Sequence, residues 1–214
     1  MPKAKQHRSK SFTADERSII LKAATVIRDT SNPFDAAKRW VPWLQAYSGA
    51  RPQEVTQLRG TDVKQVEGTW TLNLTPEAGN IKTGRARMVP LHEHLIEQGF
   101  LDFVRSRGEG PLFYRSRAKE DDSADPTKQK KAPAAQVRQR LATWVRKLGV
   151  NDKAVSPNHA WRHTFKLIGR RIEPEDTLLD YICGHAPATE GRAYGAPALQ
   201  DLARVIRRFP KYEI

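Results

Sequence analysis

His159 and Arg162 have the residue types and the spacing that an anion-binding site needs. They stand in the segment "SPNHAWRHTF", three residues apart at the start of a predicted helix. Residues at this spacing project from one helix face, so an imidazole and a guanidinium face the same space. Both groups donate hydrogen bonds, and the guanidinium carries a permanent positive charge. The pair is suited to binding a phosphate.

A second arginine, Arg51, stands in "GARPQEVTQLR", directly before the first residue of another predicted helix. A positive charge there opposes the positive end of the helix dipole, so the position is unfavourable for stability alone. It becomes favourable if an anion lies beside it, bound by the guanidinium and the free N–H groups of the first turn. If folding brings Arg51 to Arg162, two guanidiniums can stabilise the extra charge of a pentavalent phosphate transition state.

The segment "CGHAPATEGRAYG" supplies His185 and Tyr194. A tyrosine is a weak nucleophile at neutral pH because its phenol titrates near 10, so it needs a cationic phosphate pocket and a proton acceptor. Glycine and alanine flank Tyr194, which is poor packing for a core tyrosine. Tyr194 is therefore predicted to act in chemistry rather than in the core.

Helical periodicity and capping signals predict the elements that position these residues. In "SFTADERSIILKAATVIRD", Thr13 is predicted to cap the first helix. The segment "PFDAAKRWVPWLQAYSG" is predicted to form a central core helix with a kink at Pro42. Further helices are predicted from Pro52 to about Leu58, in "LHEHLIEQGFLDFVRS", and at about 134–148, 157–171, 174–183 and 197–208, with Pro157, Pro174 and Pro197 at first helical positions.

Alternation of apolar and polar residues in "GTWTLNLTP" and "ARMVPL" predicts a β-hairpin with Lys82 at or near its turn. The stretch 115–133 is charged and lacks apolar periodicity, so it is predicted to be a mobile surface loop. The predicted fold class is mainly α with a small antiparallel β-sheet (α+β).

Composition limits the possible partners. The 214 residues carry a formal net charge of +13, which predicts a polyanionic partner. Nucleic acid is favoured over a membrane, since no stretch approaches the roughly 18 apolar residues of a spanning helix. The single cysteine, Cys183, forms neither an internal disulfide nor a zinc site by itself, and a cytoplasmic location fits. His92 and His94, two residues apart, are not expected to bind one metal ion.

Six polar residues in this chain order and local context resemble the catalytic domain of the tyrosine recombinases, the phage-integrase family. They are Arg51, Lys82, His159, Arg162, His185 and Tyr194. The resemblance covers residues from about 12 to 205, and it implies the tyrosine recombinase catalytic-domain fold. Cys183 and Trp161 stand where leucine is common in the family, and both changes affect packing rather than chemistry.

The resemblance also implies a role for each residue. Arg51, Arg162 and the two histidines would hold the scissile phosphate. Tyr194 would attack it to form a 3′-phosphotyrosyl link, and Lys82 would protonate the leaving 5′-oxygen. Glu54 would support the site through hydrogen bonds, and neither a metal nor another cofactor would be needed.

Family members usually also have an N-terminal core-binding domain, which the sequence is expected to lack. Residues 1–10 are expected to be a basic flexible arm and residues 11–214 the catalytic domain. The C-terminal helix and tail, 197–214, have an apolar stripe that can pack on its own domain or on a neighbouring protomer.

Three functions remain open from the sequence. The first is a site-specific DNA recombinase that binds double-stranded DNA and self-associates as a tetramer on it. The second is a DNA-binding regulator that kept the fold without the chemistry. The third is a type IB topoisomerase-like enzyme, which would use the same chemistry to relax supercoils.

Overall fold

A computed structural model describes residues 8–79, 86–116, 132–173, 176–185 and 196–214. They form a mainly helical fold with one small antiparallel sheet, which confirms the predicted fold class. The helices are α1 (Ala14–Thr25), α2 (Pro33–Ser48), α3 (Pro52–Thr56), α4 (Glu93–Glu97), α5 (Phe100–Arg107), α6 (Pro133–Lys147), α7 (Pro157–Ile172), α8 (Asp176–Cys183) and α9 (Leu199–Arg207). The strands are β1 (Val63–Val66), β2 (Thr69–Leu74) and β3 (Arg87–Pro90). No helix in these ranges is long and apolar enough to cross a membrane.

Helix α1 begins at the predicted cap. The Glu16 N–H donates to Thr13 Oγ1 at 3.2 Å, and the Thr13 N–H donates back to a Glu16 carboxylate oxygen at 2.9 Å. This reciprocal pair satisfies two backbone donors that a helix start leaves free. The short sequence pattern was sufficient to predict it because all its partners lie within four residues.

Helix α2 is the centre of the core, as predicted. It is buried throughout from Arg39 to Ser48, and it packs against α1, α3, α6 and α7. The helix continues through Pro42 in one element. Aromatic residues dominate this part of the core, with Trp43 and Tyr47 stacked at 6.1 Å between ring centroids.

Within the described ranges the sheet has three strands in the order β1–β2–β3, one more than the predicted hairpin. Leu72 in the middle strand pairs with Val63 on one side and Val89 on the other. Strand β1 was missed because "VKQV" is short and half polar. The predicted turn residue Lys82 lies outside the described residues.

Two predicted helix boundaries were wrong. The predicted helix over residues 91–106 is two helices, α4 and α5, because the chain turns at Gly99, whose N–H donates to the Ile96 carbonyl oxygen. Helix α9 begins at Leu199 rather than Pro197, since Ala198 still has an extended backbone. The start at Pro174 and most of the predicted loop, residues 117–131, lie outside the described residues.

The C-terminal helix packs on its own domain, which is one of the two packing alternatives. Its apolar stripe is buried, and Phe209 stacks on Phe165 of α7 with 4.3 Å between ring centroids. At the other end, Arg8 forms ion pairs with Glu16 and Asp152, so the last part of the predicted arm contacts the domain.

Candidate phosphate-binding site

The turn between α2 and α3 brings the first site residue into place. Helix α2 ends at Gly49, whose φ of 58° is a left-handed conformation that favours glycine. A Cβ at this position would lie 2.8 Å from atoms of both Phe165 and Cys183. The close approach lets the Gly49 carbonyl oxygen accept a hydrogen bond from Arg162 Nη1 at 3.0 Å. Gly49 therefore joins the Arg51 turn to helix α7.

Arg51 caps the start of α3, where its charge opposes the helix dipole. The structure supplies a compensating anion within the protein: Glu54 accepts from the Arg51 N–H at 2.9 Å and from Arg51 Nη1 at 3.1 Å. Arg51 Nη1 also donates to the Gly184 carbonyl oxygen at 2.9 Å. The supporting role expected of Glu54 is consistent with these contacts. The side chain of Arg51 remains 19% exposed, so it can still reach a ligand.

Arg87 is a site residue that the sequence reasoning missed. It is buried on β3 and forms a bidentate pair with Glu54, at 3.2 and 2.7 Å. The sequence could have indicated this residue, because Arg87 shares its strand face with Val89 and so stands on the buried side of the sheet. A charge at such a position needs a buried partner.

The pKa of Glu54 reflects this setting. Burial alone raises it, but the hydrogen bonds and charges of Arg87 and Arg51 lower it below its usual value. Glu54 is therefore ionised at neutral pH and shared by two guanidiniums.

Three arginines meet at the C-terminal end of α8. Arg87 donates to the carbonyl oxygens of Ile182 and Cys183, each at 3.1 Å, and Arg51 donates to that of Gly184. Arg162 Nη1 donates to the Cys183 carbonyl oxygen as well. Carbonyls at a helix end lack partners within the helix and carry partial negative charge, so they attract cations. The end of α8 thus gathers guanidiniums from α3, α7 and β3; we call Arg51, Glu54, Arg87, Arg162 and His185 the arginine cluster.

Positive charge exceeds negative charge in the arginine cluster. It contains three guanidiniums and one carboxylate, that of Glu54, which binds Arg51 and Arg87. Arg162 is buried, and its Nη2 has no hydrogen-bond partner among the described residues. A buried donor that is left unpaired costs about 1–3 kcal/mol, and more when it is charged. An anion beside Nη2 would remove that cost.

Helix α8 ends in a Schellman motif that turns His185 back towards Asp180. The His185 N–H donates to the Asp180 carbonyl oxygen at 2.8 Å, and the Gly184 N–H donates to that of Tyr181 at 2.9 Å. Gly184 has a φ of 73°, and a Cβ there would lie 2.5 Å from the Arg87 guanidinium carbon. Glycine is therefore required at this helix end.

The His185 imidazole links Arg162 to Asp180. Arg162 Nε donates to His185 Nε2 at 3.0 Å, and His185 Nδ1 lies 2.6 Å from Asp180 Oδ1. The same carboxylate oxygen accepts from Lys166 Nζ at 2.6 Å. Asp180 and Lys166 were not predicted, since neither their spacing nor their residue types distinguish them from a surface ion pair.

His159 is exposed at the start of α7, one turn before Arg162. Burial of part of the ring lowers its pKa, and the positive charges of Arg138, His163, Arg162 and Arg51 lower it further. An imidazole in this position is neutral at neutral pH. An approaching anion would favour its protonated form.

Cys183 is an inert part of the packing. Its thiol is buried, and burial raises its pKa to about 11. A protonated thiol is neither a nucleophile nor a metal ligand. Among the described residues, no three His, Cys, Asp or Glu side chains form a group that could hold a metal ion.

The structure brings four of the predicted site residues together: Arg51, Glu54, Arg162 and His185. His159 is near enough to be influenced by the charges of both arginines. The predicted nucleophile Tyr194 and the predicted acid Lys82 lie outside the described residues.

No model of a known protein family matches this sequence, and neither does any curated protein. Several solved structures are similar to this chain. Structures of the XerH site-specific recombinase bound to difH substrate match 94% of this chain, with 18% identity and TM-scores of 0.55 in a pre-cleavage complex and 0.57 in a post-cleavage complex with a palindromic substrate. The XerA recombinase matches 95% of this chain, with 20% identity and a TM-score of 0.54.

This chain has the tyrosine recombinase catalytic-domain fold. It spans about half of each XerH chain, 54% and 53%, and 64% of the XerA chain.

Proposed function

We propose that this protein is a site-specific DNA recombinase, which cleaves and rejoins double-stranded DNA through a covalent 3′-phosphotyrosyl intermediate. Tyr194 is the proposed nucleophile. The arginine cluster, together with His159, is the proposed binding site of the scissile phosphate. Complete strand exchange would require self-association on DNA.

The observation that carries the proposal is that Arg162 Nη2 has no hydrogen-bond partner in the described part of the chain. In a guanidinium, Nη2 lies on the same edge as the Nε–H, and here that edge faces His185. An anion bound along the edge would meet two donors of Arg162 and the imidazole at once. Arg51, which binds the same helix end, would be a further cation at this anion. A tetrahedral phosphate diester has enough oxygens for all of these contacts.

The chemistry proposed for this site is a transesterification. The Tyr194 oxygen forms a bond to phosphorus and gives its proton to water, while the bond from phosphorus to the 5′-oxygen breaks. Lys82 gives a proton to the leaving 5′-oxygen. The guanidiniums of Arg51 and Arg162 stabilise the extra negative charge of the pentavalent transition state. The reverse reaction, with a 5′-hydroxyl as nucleophile, rejoins the strand.

Charge and fold support DNA as the substrate. The chain has a formal net charge of +13, and the XerH structures that share its fold are bound to difH substrate. Lysines and arginines that neutralise phosphates make binding salt-dependent, with log affinity falling by about 0.9 per phosphate neutralised for each tenfold increase in salt. We expect binding by this chain to weaken steeply between low and physiological salt.

The test is covalent trapping on a pool of nicked duplexes with randomised sequence. Cleavage next to a nick releases a short fragment and leaves the protein attached to DNA. The parent chain should form the adduct, Tyr194→Phe should bind DNA without forming it, and Tyr114→Phe should behave as the parent. An adduct with Tyr194→Phe contradicts the nucleophile assignment.

Two further outcomes would identify the other candidate functions. DNA binding without any adduct in the parent chain would support a regulator that kept the fold. Relaxation of a supercoiled plasmid, without joining of two sites, would support a topoisomerase-like enzyme.

A further inference from the structure

The Schellman motif of α8 places an acidic side chain directly against a site histidine. In this motif an apolar contact frequently joins the residue after the glycine to the residue five positions earlier in the chain. Here the pair is His185 and Asp180, joined at 2.6 Å, with Lys166 also 2.6 Å from the same Asp180 oxygen. A polar pair at this point of a helix end needs an explanation other than packing.

The two neighbours of His185 determine its tautomer. A guanidinium only donates hydrogen bonds, so His185 Nε2 must accept from Arg162 Nε. An ionised carboxylate only accepts, so Nδ1 must carry the proton that faces Asp180. With these two partners, His185 is therefore the neutral Nδ1–H tautomer.

This tautomer cannot donate to a phosphate oxygen through Nε2. The other neutral tautomer could, but its Nδ1 lone pair would then face the Asp180 carboxylate. Only the imidazolium form donates at Nε2 and keeps the hydrogen bond to Asp180. Binding an anion at this edge therefore requires one additional proton on His185.

We propose that Asp180 is a positioning residue that holds His185 by Nδ1, so that His185 takes up one proton from solvent when an anion displaces its contact with Arg162. The new Nε2–H then donates to an anion oxygen, and the Arg162 Nε–H becomes available to the same anion. The proposal rests on the proposed function insofar as that anion is the scissile phosphate.

The charges around His185 agree with this sequence of events. Burial lowers its pKa, the hydrogen bond to Asp180 raises it, and Arg162 and Lys166 of α7 lower it, so the net pKa is below its usual value. Arg51 and Arg87 bind the carbonyl oxygens just before His185, which adds positive charge nearby. The ring is therefore neutral at neutral pH until an anion arrives.

Asp180 is ionised at neutral pH. Burial raises its pKa, but hydrogen bonds and charges from Lys166 and His185 lower it more, so the net pKa is below its usual value. A bound anion would act on His185 in the same direction as Asp180 and raise its pKa. The side chain of His185 is 38% exposed, which gives it access to protons from solvent.

The direct test is ¹⁵N NMR of the histidine side chains in the labelled full chain, from pH 5 to 9, with and without sulfate. Sulfate does not titrate in this range, so any proton taken up belongs to the protein. The His185 signals are those lost in His185→Asn. We expect the Nδ1–H tautomer without sulfate and a higher pKa of His185 with it. An Nε2–H tautomer in the anion-free protein, or a pKa of His185 that sulfate does not change, overturns the proposal.

Three variants separate a positioning role from a merely structural one. Asp180→Asn keeps the shape but removes the charge, so the pKa of His185 should fall and the sulfate-linked rise should shrink. Lys166→Met removes a cation that competes for Asp180, so the pKa of His185 should rise. Asp176→Asn, whose carboxylate contacts Lys166 at 3.5 Å, is the matched control and should leave the His185 tautomer unchanged. If the pKa of His185 shifted in the same direction in all three variants, the proposal would be contradicted.

A cleavage assay distinguishes failure of this proposal from failure of the proposed function. If the chain cleaves DNA, Asp180→Asn should lower the rate by about 10-fold, the smaller end of the range seen when the hydrogen-bond partner of a metal-binding histidine is removed. Its pH profile should move to lower pH, because cleavage then needs more acid to protonate His185. If no variant cleaves DNA but the NMR results hold, the proposed function fails and the proton-linked anion site stands. If the parent cleaves DNA and Asp180→Asn has the same pH profile, the role of Asp180 fails alone.

Discussion

Two polar clusters lie beside the end of α2, and they differ in how completely the protein satisfies them. The arginine cluster follows Gly49. The second, which we call the tail cluster, begins two residues earlier at Tyr47 and includes His92, His94, Tyr212 and the main chain of Phe209. Both contain histidines and buried polar atoms, so residue types alone do not tell them apart.

In the tail cluster, the polar atoms of His92 and Tyr47 find their partners within the protein. The His92 ring stacks on Tyr47 with 4.0 Å between centroids, and His92 Nε2 donates to the Phe209 carbonyl oxygen at 3.0 Å. His92 Nδ1 accepts from the His94 N–H at 3.1 Å, while the Tyr47 hydroxyl lies 2.8 Å from His94 Nδ1. The Tyr47 hydroxyl also accepts from the Tyr212 N–H at 3.2 Å. Both ring nitrogens of His92 are used to fasten the C-terminal tail.

In the arginine cluster, the protein does not satisfy all of the charges and donors. It carries more positive than negative charge, and Arg162 Nη2 is buried without a partner in the described part of the chain. An excess of positive charge and an unpaired buried donor distinguish the arginine cluster, the proposed ligand site, from the tail cluster, where both ring nitrogens of His92 have partners within the protein. Variants of Arg162 and of His92 should therefore affect different measurements.

Glu54→Gln should have the largest effect on folding stability. The change leaves Arg87 buried without its anion, and breaking one partner of a buried ion pair typically costs about 3–5 kcal/mol. Urea denaturation measures the loss. The matched control, Glu77→Gln at an exposed position, should change the free energy of unfolding by less than about 0.5 kcal/mol. Equal stability of the two variants would show that Glu54 is dispensable to the cluster.

Arg162→Lys should reduce cleavage strongly and DNA binding much less. Lysine keeps the charge but loses the planar fork, and losing one preformed donor to a developing oxyanion costs on the order of 10² to 10³ in rate. Single-turnover cleavage and equilibrium DNA binding measure the two effects. Arg170→Lys, on the same helix but exposed, is the matched control and should behave as the parent. Near-normal cleavage by Arg162→Lys would make Arg162 a structural residue like His92.

His92→Phe should show the opposite pattern, with a loss of stability and retained cleavage. Phenylalanine keeps the stack on Tyr47 but leaves the Phe209 carbonyl oxygen and the His94 N–H without their partner. We expect a loss of about 1–3 kcal/mol in the free energy of unfolding. His163→Gln, at an exposed position on α7, should change stability little. Loss of adduct formation in folded His92→Phe would place the tail cluster in the chemistry.

The smallest expected effect is the pH dependence of stability from the tail cluster. Burial lowers the pKa of His92 below its ordinary 6.5, so the unfolded chain binds this proton at a higher pH than the folded chain. The contribution is fully present above pH 6.5 and decreases as the pH falls towards the lowered folded-state value. Denaturation at pH 7.5 and 5.5 should show a smaller decrease for His92→Phe than for the parent. An equal decrease in both chains would show that His92 does not titrate differently on folding.

The parts of the fold predicted correctly are those encoded within a few residues. The Thr13 cap, the burial of α2 and the starts of α6 and α7 near Pro133 and Pro157 follow from local patterns. Strand β1 and the break between α4 and α5 were missed because their signals are weak and their positions depend on packing. Of the residues in the arginine cluster, Arg87 was missed because its place there depends on the contact with Glu54, 33 residues away.

The sequence by itself determined which segments are helical, because capping and periodicity act over one or two helical turns, and it determined the order in which the predicted site residues appear. Only the tertiary structure decided that Arg51, Arg87 and Arg162 meet at one helix end. Those contacts join residues as far as 133 positions apart, and no local pattern encodes them. The tautomer of His185 is likewise a tertiary property, since it depends on one donor from α7 and one acceptor from α8.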